Sequence, residues 1–147
     1  MKFHFVKVLV VVLFATELMG CASAVVDRGS YEGLTNSDPS KGTIFVYRER
    51  AFAGSVNQYD VLIDGVIGGS LPNGSFFAVN TEPGKKDIKA DTGPFGKGSG
   101  ILVEKNKVYC LKLTLNFCVS CKSADVTLID IEKCENEIKS LTKVGLK

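Results

Sequence analysis

Asp64-Gly65, Asn73-Gly74 and Pro83-Gly84 fall nine to ten residues apart and separate short runs of β-forming residues. Turn signals at that spacing leave strands of only a few residues between them, which restricts the chain to a small all-β architecture. Asp-Gly between Ile63 and Val66 is the strongest of the three, because a type I′ hairpin turn needs positive φ at both central positions. Asp64 is accordingly read as a turn former and not as a catalytic acid. Eight strands are expected: Thr43 to Arg50, Gln58 to Ile63, Val66 to Leu71, Ser75 to Asn80, Lys85 to Ala90, Gly100 to Glu104, Val108 to Leu115 and Asp125 to Ile131. After the last of these the apolar period changes. Cys134, Ile138 and Leu141 stand at i, i+4 and i+7 in Glu132 to Thr142, which predicts one short amphipathic helix that Gly145 can end.

The first 21 residues carry a different kind of information. Lys2 and Lys7 precede the apolar run Val8 to Phe14, the layout of a signal peptide, and the run is too short to span a bilayer. It closes on Leu18-Met19-Gly20-Cys21, which resembles the lipobox of bacterial lipoproteins. That resemblance implies a diacylglycerol thioether on Cys21, removal of residues 1–20 and acylation, commonly with palmitate, of the new amine. Two acyl chains suffice for stable anchoring. Ala22 follows where an Asp would favour inner-membrane retention, so the expected address is the outer membrane, facing the periplasm. Residues 21–41 mix Ser, Gly, Asp, Asn and Pro without periodicity and are expected to form a flexible tether. Residues 42–147 are expected to form the single folded domain.

Composition then narrows the chemistry. Residues 1–20 take with them two of the 18 lysines and arginines, one of the 16 carboxylates and the only histidine, His4. A mature chain without imidazole cannot build a Ser-His-Asp or Cys-His nucleophile system or an HExxH zinc motif. Its near-neutral charge, scattered along the chain, gives no footprint for nucleic acid. An enzyme is therefore not expected, nor any cofactor or metal.

With Cys21 lipidated, four thiols remain in an exported chain: Cys110, Cys118, Cys121 and Cys134. An oxidising compartment favours disulfides, and four cysteines allow three pairings. Alternation along Val108 to Leu115 puts Tyr109, Leu111, Leu113 and Leu115 on one face and Cys110 on the other. The helix stripe bearing Cys134 needs a sheet face to cover, so the favoured pairing is Cys110 with Cys134 and Cys118 with Cys121. Cys118-Val119-Ser120-Cys121 could instead be a redox Cys-x-x-Cys, but it lies between two strands and lacks the helix N-terminus that lowers a thiolate pKa. A zinc site would need paired knuckles, and the intervals of 7, 2 and 12 residues do not supply them.

Gly93 to Gly100 lacks the first glycine and the terminal Ser or Thr of a phosphate-binding loop, and reads as a hairpin loop. Lys85, Lys86 and Lys89 read as a solvated strand edge. Arg48, at the end of an apolar strand, is expected to form a partly buried salt bridge.

Ile44-Phe45-Val46-Tyr47-Arg48, Phe52-Ala53-Gly54-Ser55, Tyr59-Asp60-Val61-Leu62-Ile63-Asp64-Gly65, Gly68-Gly69-Ser70-Leu71, Gly74-Ser75-Phe76-Phe77 and Pro83-Gly84 together resemble the bacterial domain-of-unknown-function family 2846. The resemblance implies a small exported or lipid-anchored β-sandwich and brings no established activity. The family's PGxH-like phrase stands here as Pro83-Gly84-Lys85-Lys86, without the His. The layout also resembles PEGA-type and transthyretin-like sandwiches, which are binding or structural modules. The expected protein is thus an antiparallel β-sandwich with a C-terminal helix, held to the membrane by lipid on Cys21. Its expected role is non-enzymatic, binding an envelope protein partner or supporting an assembly. A thiol-disulfide enzyme using Cys118 and Cys121 and a small-molecule carrier with an apolar interior are the rival classes.

Overall fold

The computed structural model of the chain describes residues 29–94, 96–116 and 123–147. Among these residues nine strands and one helix follow in order: β1 Gly42–Arg48, β2 Tyr59–Ile63, β3 Val66–Leu71, β4 Ser75–Thr81, β5 Gly84–Ala90, β6 Ser99–Val103, β7 Val108–Asn116, β8 Ser123–Ile129, α1 Ile131–Ile138 and β9 Thr142–Lys143. They form two sheets, ordered β8-β7-β1-β4-β9 and β3-β2-β5-β6. The all-β sandwich with one C-terminal helix is therefore as expected, and the eight strands read from the sequence are all present.

Two pairings depart from a purely antiparallel arrangement. β1 lies parallel to β7, with Phe45 opposite Cys110, and β4 lies parallel to β9. A parallel neighbour requires a long crossover, and here the whole second sheet is the crossover between β1 and β7. β1 consequently sits in the middle of the larger sheet with both faces covered, which is why Gly42–Arg48 is buried at every position. Ile44 and Val46 point into the space between the sheets, where they meet Val61, Leu71, Phe77, Ile88, Leu111 and Leu113. Phe45 and Tyr47 point the other way, with Phe76, Cys110, Cys134, Ile138 and Leu141.

Asp64 has φ 51° and Gly65 φ 81°, so the β2–β3 hairpin turns on two left-handed residues. The Asp64 carboxylate accepts from the Asp87 backbone N–H at 2.9 Å and pairs with Lys86 at 3.1 Å. These bonds hold its pKa below the ordinary carboxylate value. Asp64 thus serves its own turn.

The helix is shorter than the sequence period suggested. Asp130 caps it, its side chain accepting from the Glu132 N–H at 2.9 Å. It stops at Ile138 because the next residues find better partners in the sheet: Thr142 N–H donates to the Gly74 carbonyl and Val144 N–H to that of Phe76. Leu141 still reaches the same apolar cluster as Cys134 and Ile138, from a turn and not from the helix.

Residues 29–41 also differ from expectation. Tyr31 and Leu34 pack on the outer cluster, Tyr31 meeting the Phe76 ring edge-on at 6.1 Å between centroids. Asn36 donates to the Lys41 carbonyl and accepts from the Thr43 hydroxyl. Two apolar side chains and an Asn-based turn are enough to fix this stretch as a strap across the sheet, so a free tether does not extend as far as residue 41.

Candidate functional site

The feature that most needs explaining is Arg48, a charged residue 2 % exposed at the end of β1. Its Nη1 donates to the Asn57 carbonyl at 2.6 Å and to that of Leu71 at 3.4 Å, and its Nη2 donates to the Gly54 carbonyl at 2.7 Å. Tyr59 lies under the guanidinium, 5.1 Å from its ring centroid, a cation–π distance. No carboxylate pairs with it among the described residues, so the expected salt bridge is replaced by main-chain oxygens. The reason is local. Residues 49–58 must turn back into β2, their carbonyls face inward at Gly54 and Asn57, and a planar fork of donors satisfies several at once. Burial pulls the Arg48 pKa below its usual value, while Tyr59 acts in the opposite sense.

The loop so fixed is closed further by Asn73, whose amide both donates to and accepts from the Ala51 backbone, at 2.9 and 3.0 Å. Gly54 has φ 71°, and a Cβ there would lie 2.6 Å from Leu115 Cδ1, so only glycine fits without strain. Two residues of this rigid loop show large apolar side chains to solvent: Phe52 is 100 % exposed and Val56 94 %. The phrase Phe52-Ala53-Gly54-Ser55 is visible in the sequence, but its dependence on Arg48 is not. Carbonyl acceptors carry no residue signature.

On the opposite face of β1 the helix is held by both covalent and polar ties. Cys110 and Cys134, each fully buried, are joined in a disulfide with Cα atoms 6.3 Å apart. Beside it Glu137 accepts from the Tyr47 hydroxyl and from Lys112 Nζ, both at 2.7 Å, and Lys112 also pairs with Glu49. Burial pushes the Glu137 pKa up, but the bonds from Lys112 and Tyr47 outweigh it and hold the carboxyl below its ordinary value. Burial and the Glu137 contact push the Tyr47 phenol well above its usual value. This network ties the helix and one root of the loop, through Glu49, to the same lysine.

Of the residues singled out in the sequence, the structure brings Cys110 and Cys134 together, away from the Arg48 loop. Cys21, Cys118 and Cys121 lie outside the described residues. A cavity of about 430 Å³ sits between the strap and the outer face of β1 and β4, lined by Glu32, Thr35, Thr43, Phe45, Asn80 and Lys143 among others. It lies outside the sandwich, between whose sheets the buried core cluster packs. Among the described residues no group of three His, Cys, Asp or Glu is placed to hold a metal ion. None of their helices is long and apolar enough to cross a membrane.

No curated protein and no solved structure matches the chain. A family model does match, over residues 38–124, a span that runs from the strap through β1, the Arg48 loop and the second sheet to the start of β8. The chain therefore belongs to the family described as protein of unknown function (DUF2846).

Proposed function

We propose that this protein is a lipoprotein of the bacterial envelope, anchored by lipid on Cys21 and exposed to the periplasm from the outer membrane, and that its sandwich is a non-enzymatic binding or structural module. The observation that carries this reading is Leu18-Met19-Gly20-Cys21 behind a basic and apolar leader. The Cys110–Cys134 disulfide agrees with it, since such bonds persist in oxidising compartments. The chemistry of the described side chains agrees as well. Asp64 serves a turn, Glu137 and Glu49 hold Lys112, and Arg48 holds a loop. A thiol-disulfide enzyme would have to rely on Cys118 and Cys121 alone, because Cys110 and Cys134 are committed to each other. A carrier would need room between the sheets, where side chains pack on one another.

Cell fractionation tests the proposal. Cys21→Ala removes the attachment site and should move the protein out of the membrane fraction, either as a soluble form or as uncleaved precursor. Unchanged membrane retention of a properly cleaved Cys21→Ala protein would refute the anchor.

A further inference from the structure

We propose that the Arg48-braced loop, residues 49–58, is a membrane contact, with Phe52 and Val56 entering the headgroup and acyl boundary of the bilayer to which the protein is anchored. This rests on the lipoprotein reading above and adds an orientation to it.

Three observations point to a lipid surface. The first is the display itself. Phe52 and Val56 are almost fully exposed on a loop whose backbone is fixed from behind by Arg48 and Asn73. Apolar side chains held outward on a rigid support lose little conformational freedom when an apolar medium covers them. The second is charge. Residues 50–57 contain Arg50 and no carboxylate, and Glu49 at the loop's root is already paired with Lys112. Arg50 is exposed and suits the anionic lipids of a membrane surface. At the other end of the sandwich Val66 is also exposed, but the turns there are densely charged, with Asp64 paired to Lys86, Glu82 paired to Lys41, and Glu104 next to Lys105 and Lys107.

The third observation is where the chain leads toward Cys21. Tyr47 is opposite Phe76, Phe76 opposite Lys143, and Lys143 bridges to Gly29. Gly29 is therefore level with the last turn of β1, three strand spacings or about 14 Å away across the sheet. Seven residues lie between Gly29 and Cys21, and the eight steps they make along the chain reach at most about 28 Å. The ten-residue loop, returning to the sheet, rises no more than about 17 Å. The attachment point thus allows this end to rest on the bilayer. Reach alone would also admit the opposite end, and the two bare apolar side chains on the braced loop, Phe52 and Val56, decide between the two.

The chain has no tryptophan, so single reporters can be introduced. Full-length F52W and V66W proteins, lipid-modified in a Gram-negative host, are purified and reconstituted into phosphatidylethanolamine and phosphatidylglycerol vesicles with brominated acyl chains. Both positions are exposed, so neither substitution disturbs the core. Co-flotation and the mass of the N-terminal peptide report the anchor, while bromine quenching reports depth. The expected result is that both proteins float and that F52W is blue-shifted and quenched several-fold more than V66W. Lipidated, floating proteins with equal or no quenching would overturn the loop assignment and leave the anchor standing. A blue shift of F52W that appears only after envelope protein is added would assign the loop to a protein partner and would equally overturn it. An unmodified Cys21 would overturn the anchor and this inference together.

Discussion

Arg48 carries a full charge at the end of the central strand, where Nη1 and Nη2 donate to three backbone carbonyls above a tyrosine ring and the buried Nε has no partner among the described residues. Replacing it strands those carbonyls in a dry site, and each unsatisfied polar group costs roughly 1–3 kcal/mol. Arg48→Met keeps much of the volume and removes the donors. It should lower unfolding stability by about 3 kcal/mol in urea denaturation, and limited proteolysis should then cut first within residues 49–58. A change under about 0.5 kcal/mol, the range of ordinary surface substitutions, would mean the loop does not depend on this residue. Glu137 gives a prediction in pH. Its folded-state pKa is held below the ordinary 4.5 by Lys112 and Tyr47, so its contribution is complete above that unfolded-state value and is lost as pH falls through the folded-state one. Glu137→Gln should therefore destabilise at neutral pH, and the gap between variant and wild-type melting temperatures should narrow below about pH 4.5. A gap that stays constant through that range would contradict the role given to the carboxylate.

At the scale of elements, the disulfide is the main tie between α1 and the sheet. It links residues 24 apart, and closing a loop of that size contributes roughly 3 kcal/mol in the chain-entropy model. Cys134→Ser should lower the denaturation midpoint accordingly and speed amide exchange in Ile131–Ile138, while leaving exchange in β2 and β5 unchanged. Non-reducing peptide mapping checks the bond itself, and a fragment joining Cys110 to Cys118 or Cys121 would contradict it. Much of this level was legible beforehand, because strand and helix periods are local. Alternation in Val108–Asn116 puts Cys110 opposite the core-facing Leu111 and Leu113, and the stripe of Cys134, Ile138 and Leu141 asks for that outer face. The unreadable parts depend on distant partners. Nothing in Thr142–Lys143 marks β9, whose two residues are a strand only because Gly74 and Phe76 offer carbonyls. The parallel pairing of β1 with β7 is likewise hidden, since a period of two states which face is buried but not which neighbour a strand takes. Nor does Tyr31 reveal from sequence that Phe76 will anchor it.

For the whole molecule, the sandwich is a small core reinforced on one face by a stapled helix and a strap. At one end it carries a braced loop with two bare apolar side chains. The proposed binding or structural module fits a fold with a braced loop at its display end. In the reading proposed above, Cys21 gives the molecule its place in the cell, and the most direct measurement is the mass of the N-terminal peptide of the protein extracted from membranes. The expected peptide begins at Cys21 and carries a diacylglycerol thioether and an acylated amine. A peptide that retains Met1, begins elsewhere, or carries a free Cys21 thiol would contradict that reading.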